Sequence, residues 1–73
     1  MQLKQFPWIE ELKEKRQAYG VSQNKLAIAS GISREYLNKI ENHKVDVDSK
    51  LKELILQKLE YFNPDNPLEM LFD

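Results

Sequence analysis

The chain has no cysteine, one histidine, two glycines and three prolines among its 73 residues. Without thiols it can form neither disulfide staples nor thiolate metal sites, so the disulfide scaffolds common at this size are excluded. The lone histidine, His43, has no second ligand type at metal-binding spacing. For the same reason no Ser-His-Asp or Cys-His set exists, and no glycine-rich phosphate loop is present. No run approaches the roughly 20 apolar residues of a membrane span. The N-terminal MQLKQFPWIEELK also lacks the apolar core of a signal peptide. These absences predict a protein of the reducing cytoplasm with no cofactor, no membrane partner, no small-molecule substrate and no catalysis of its own. A charge excess is missing too: 11 basic residues face 12 acidic ones, a net charge of −1. The chain is near the lower size limit for folding without staples, so one domain around one core is expected.

The densest pattern lies in Ser22 to Lys44, SQNKLAIASGISREYLNKIENHK. An eight-residue amphipathic segment, Gln23 to Ser30, meets a turn at Gly31, and a second segment follows from Arg34 to about Asn42. Two short helices joined by a glycine turn of three or four residues are the layout of a helix-turn-helix. Leu26, Ile32, Leu37 and Ile40 supply the inward apolar positions, and Ala27 is small where the helices must approach closely. Gly31 suits a turn that needs positive φ. Arg34, Glu35, Asn38 and Lys39 then fall on the outward face of the second helix. In such a unit that helix enters the major groove of double-stranded DNA.

The overall charge argues against DNA binding, because phosphate contacts dominate affinity. The distribution softens this objection. Residues 22–52 carry six basic and four acidic groups, while residues 53–73 carry one basic and five acidic. The acidity therefore lies mostly beyond the motif, and the small positive balance predicts modest affinity for an isolated monomer.

Elsewhere the chain reads as further helices. Pro7 is a favourable first helical residue, and Ile9, Leu12, Arg16 and Tyr19 recur at helical spacing until Gly20 ends the run. Ser22 and Ser33 are N-caps for the two helices of the motif. Asn42-His43 ends the third helix, since both types tolerate left-handed φ better than most. Lys44 to Asp48 is a loop. Asp48 caps a long fourth helix with Leu51, Leu54, Ile55, Leu59 and Phe62 on one stripe, and Asn63-Pro64 stops it. The expected fold is all-α, a four- to five-helix bundle around the helix-turn-helix. Residues 1–64 form the DNA-binding domain; residues 65–73 are a linker or the start of a further C-terminal domain. The tail PDNPLEMLFD places Leu68, Met70, Leu71 and Phe72 after the bundle. They either cover the bundle or belong to that further domain. Phe6 and Trp8 are expected at the core edge, and Tyr61 is expected to pack beside Phe62.

The Ser22–Lys44 run resembles the lambda-repressor and Cro type (XRE-like) of helix-turn-helix, and the resemblance extends from Ile9 to about Phe62. It implies a lambda-repressor-like fold. It also implies that Ser22 and Gln23 sit against the DNA backbone and that Arg34, Glu35, Asn38 and Lys39 begin the recognition helix. Arg16 matches the family's helix-1 arginine, and the resemblance implies a structural salt bridge from it to Glu41. His43 stands where the family usually has glycine. The tail resembles the junction between an N-terminal helix-turn-helix and the catalytic domain of rolling-circle-type relaxases or replication initiators. Those enzymes serve integrative conjugative elements of Gram-positive bacteria.

The chemistry of each residue type sets its expected role. Arg34 and Lys39 suit guanine and Asn38 suits adenine, while Glu35 either accepts from cytosine or only complements the positive helix N-terminus. Ser22, Gln23, Lys25, Asn42, His43 and Lys44 are expected at phosphates, where they set register without reading sequence, and Tyr36 either joins them through its hydroxyl or packs. Three functions fit this face: targeting a relaxase or replication initiator to its transfer origin, transcriptional repression, or a protein-interaction module that keeps the fold without DNA. The sequence leaves the target site and the oligomeric state open; a monomer in isolation is compatible with it.

Overall fold

A computed structural model describes residues 7–65. Within them lie four helices: α1 (Pro7–Ala18), α2 (Gln23–Ser30), α3 (Arg34–Glu41) and α4 (Ser49–Glu60). The expected all-α bundle is therefore present, with its helix-turn-helix at α2–α3. Phe6 and the apolar tail from residue 66 onward lie outside the described residues.

Three of the four starts are made by side chains that satisfy orphan backbone donors. Ser22 Oγ accepts from Lys25 N at 3.1 Å and Ser33 Oγ from Tyr36 N at 3.0 Å. Asp48 Oδ1 accepts from Leu51 N at 2.8 Å. Pro7 opens α1, where its missing N–H would have no helical partner.

The first three helix ends share one device. Val21 N donates to Arg16 O at 2.9 Å, Ile32 N to Ala27 O at 3.0 Å, and Lys44 N to Lys39 O at 2.9 Å. Each bond spans six residues and closes a Schellman turn, which needs left-handed backbone just before the donor. Gly20 and Gly31 provide it with φ of 71° and 74°, and His43 provides it with φ of 59°. The chain's two glycines thus serve two of these turns, and the third is made by a residue for which that conformation costs about 1–2 kcal/mol.

Inside the bundle, Ile9, Leu12, Leu26, Leu37, Ile40, Ile55 and Leu59 are fully buried, with Val21 and Ala27 beside them. The helix α1 packs on α3 and α4, and α2 packs on the same two. Each large apolar side chain contributes about 1.5–3 kcal/mol by leaving water. Trp8 lies at the edge of this core as expected, with Lys52 Nζ 5.5 Å from its ring centroid. Tyr19 also packs there, and its hydroxyl donates to Glu60 at 3.3 Å. Burial, and then the Glu60 charge, push the Tyr19 phenol up from its ordinary value.

Two packing expectations need correction. On α4 the buried line is Ile55 and Leu59, and half-buried Leu51, Leu56 and Phe62 pack against it, whereas Leu54, equally half-buried, is not part of that flank. At about 100° per residue the stripe is centred on the Ile55–Leu59 pair, so Leu54 rotates off it. Tyr61 is 51% exposed and caps α4, with Lys58 Nζ 5.4 Å from its ring centroid. It lies against a lysine and not in the core. On α2, Leu26, Ala27 and Ser30 are buried, and Ile28, for which the sequence pattern sets no place, is 69% exposed.

Candidate nucleic-acid interface

The position of α3 is set from within. Leu37 and Ile40 are anchored in the core, and Glu41 is buried beside them at 3% exposure. Arg16 of α1 meets that carboxylate as a fork: Nε donates to Oε2 at 2.8 Å and Nη2 to Oε1 at 3.0 Å. Its third nitrogen, Nη1, donates to Val21 O at 3.0 Å. A buried charge is tolerable only when paired and hydrogen-bonded, and this one is. The salt bridge implied for Arg16 and Glu41 is therefore present, and it ties α3 to α1.

With α3 held on that side, its opposite face is turned to solvent. Arg34, Glu35, Asn38 and Lys39 are all exposed. Arg34 and Asn38 are four residues apart, as are Glu35 and Lys39, so each pair lies one helical turn along the same face. Together with Lys44 from the following loop they line a shallow depression of 360 Å³. Three cations and one carboxylate there give local positive charge on a chain whose net charge is negative. All four expected base-reading residues are thus brought to one place, with one of the expected phosphate contacts.

The other expected phosphate contacts are placed variously. Lys25 is exposed on α2, and Ser22 is exposed with its hydroxyl engaged as the N-cap. Tyr36 packs part of its ring against the core. Asn42 turns its amide back to α3, donating to Asn38 O at 2.8 Å and to Asn38 Oδ1 at 3.2 Å. Gln23 faces inward: its Nε2 donates to Glu41 Oε1 at 3.0 Å, and its Oε1 accepts from Asn38 Nδ2 at 3.3 Å. His43 Nε2 lies 2.7 Å from Glu10 Oε2, with the histidine side chain only 11% exposed. That hydrogen bond, and the nearby Lys13, hold the Glu10 carboxyl below its ordinary value against a smaller opposing effect of burial. The imidazole is thereby engaged with α1.

Two of these contacts had no signal in the linear sequence. Gln23 and Asn38 are 15 residues apart, and Glu10 and His43 are 33 apart. Neither separation is a helical or strand repeat, so only the docked helices reveal them. The left-handed turn at residue 43 did carry a signal, because the family resemblance marks it as a glycine position.

Among the described residues, no group of His, Cys, Asp or Glu is placed to hold a metal ion. No helix among them is long and apolar enough to cross a membrane.

Two short helices at this turn, the second anchored from within and polar outside, define the helix-turn-helix class. The sequence pattern of the helix-turn-helix family matches residues 12–60. The chain belongs to that family, of the Cro type, and the family supports binding to double-stranded DNA through this motif. Comparison with curated proteins and with solved structures gives no significant match.

Proposed function

We propose that this domain recognises a specific double-stranded DNA sequence by laying α3 in the major groove. The observation that carries this reading is the convergence of Arg34, Glu35, Asn38, Lys39 and Lys44 on one exposed depression, opposite the anchors Leu37 and Ile40. Arg34 and Lys39 read guanine, Asn38 reads adenine, and Glu35 accepts from cytosine. Lys25 and Lys44 contact phosphates, with Ser22, Tyr36 and Asn42 as neutral candidates beside them. Such binding takes place in the cytoplasm.

The finer reading is that the domain brings a relaxase or replication initiator to its transfer origin. Its support is the resemblance of the tail PDNPLEMLFD to the junction that precedes such catalytic domains. Repression of transcription uses the same face and fits it equally. The two differ in assembly: a repressor binds a palindrome as a dimer, whereas a relaxase arm binds one half-site.

The test is a titration of labelled duplexes, with selected and scrambled sequences, at two salt concentrations. Arg34→Ala is expected to weaken the selected site about tenfold or more and to flatten preference at one base pair. Lys44→Ala should weaken all sequences alike and lower the salt slope by about one. Equal, salt-independent behaviour of the wild type and both variants would leave a protein-interaction module as the surviving reading. Sedimentation of the wild type with one- and two-half-site duplexes separates the repressor from the relaxase arm.

A further inference from the structure

We propose that Gln23 is a positioning residue for base recognition: it transmits the orientation of the buried Arg16–Glu41 pair to the side-chain amide of Asn38. The proposal deepens the DNA-binding reading of α3 and rests on it.

The polarity of the relay follows from its buried end. A carboxylate paired with a guanidinium only accepts hydrogen bonds. The Gln23 group at 3.0 Å from Glu41 Oε1 must therefore be the NH2. That choice turns the Gln23 oxygen outward, towards Asn38. An amide oxygen also only accepts, so the group of Asn38 at 3.3 Å from it must be the NH2 as well. Asn38 Oδ1 in turn accepts from Asn42 Nδ2 at 3.2 Å. Neither amide can flip without bringing two acceptors, or two donors, face to face.

The relay uses one of the two N–H groups of Asn38 and one of its two acceptor lone pairs. What remains is one donor beside one acceptor, on an exposed residue in the middle of the α3 face. This is the pair that the N7 and N6 groups of adenine require. Without Gln23, only the 3.2 Å bond from Asn42 Nδ2 would still hold the order of the Asn38 amide, and the restraint that ties it to the buried pair would be lost. Gln23 therefore acts on specificity without touching a base. A phosphate contact alone would not require its amide to point at Glu41.

The experiment compares Gln23→Ala, Gln23→Met, Asn38→Ala and the Gln23→Met/Asn38→Ala double variant. The methionine keeps the length and packing of glutamine and removes the relay. Binding is measured on duplexes varied at each base pair, with unfolding followed in parallel. Asn38→Ala defines the base pair that Asn38 reads. Gln23→Met should flatten preference at that same pair, by up to about tenfold, while preferences elsewhere and the salt slope stay unchanged. The double variant should be no less selective there than Asn38→Ala alone, because coupled residues are not additive. In the free protein, the side-chain amide resonances of Asn38 should shift in Gln23→Met. Uniform weakening on every sequence, or additive losses in the double variant, would overturn the relay while DNA recognition stood. A wild type with no sequence preference would overturn the recognition reading and the relay together.

Discussion

Two clasps hold the end of α3 against α1, and they differ chiefly in burial. The inner one joins Arg16 to Glu41, with side chains 13% and 3% exposed and two forked hydrogen bonds. The outer one joins His43 to Glu10 at 2.7 Å, with the glutamate 58% exposed. Similar distances do not mean similar energies. Removing half of the inner clasp leaves a charge that water cannot reach, whereas removing half of the outer one leaves a carboxylate that water solvates at once. The inner clasp therefore fixes where α3 lies. The outer one secures a turn that the backbone would otherwise strain.

The sharpest way to break this comparison is Arg16→Ala. It strands Glu41 and should cost about 3–5 kcal/mol. Chemical denaturation at neutral pH measures it; a midpoint within error of wild type would show that the inner clasp is not structural. In so small a domain, the loss could equal most of the folding stability.

Ser30 provides the converse case. It is buried at 4% exposure, and its hydroxyl has no hydrogen-bond partner among the described residues. An unmet buried polar group costs about 1–3 kcal/mol. Ser30→Ala should therefore be neutral or raise stability by up to about 1 kcal/mol. A clear loss in the same denaturation assay would mean that the hydroxyl is satisfied in solution.

At the outer clasp two effects oppose. His43→Gly relieves left-handed strain of about 1–2 kcal/mol and loses the contact with Glu10; His43→Ala loses the contact and keeps the strain. The glycine variant should melt above the alanine variant, and both should lie much closer to wild type than Arg16→Ala. The reverse order would show that the φ of 59° is not strained here.

The smallest effect is that of acid on the same contact. Glu10 is held below its ordinary value chiefly by His43, so the folded state favours its ionised form. That contribution is complete above the ordinary carboxylate value and fades as pH falls through the lowered one. The gap in stability between wild type and His43→Ala should shrink over that window. A gap that is constant from neutral pH into strong acid would assign the effect of His43 to packing alone.

Much of this protein was determined by sequence alone, for physical reasons that are local. Ser22, Ser33 and Asp48 bond to backbone three residues away, so each helix start was legible wherever such a residue preceded a helical repeat. Gly31 announced its turn because left-handed backbone favours a residue without Cβ. The outward set Arg34, Glu35, Asn38 and Lys39 followed from helical period and from the apolar anchors Leu37 and Ile40. The family resemblance supplied the Arg16–Glu41 pair, which no periodicity could have paired across 25 residues.

Tertiary structure decided the rest. Ile28 and Tyr61 are apolar or aromatic, yet they face solvent, and Tyr61 lies against Lys58 of its own helix and not in the core. Gln23 and His43 have side chains that suit a phosphate, but their nearest partners, Glu41 and Glu10, are brought to them only when α1, α2 and α3 pack. A polar side chain has several good bonds open to it, and its own type does not choose among them. The choice belongs to whichever charge the fold places within 3 Å, and that is a property of the packed helices.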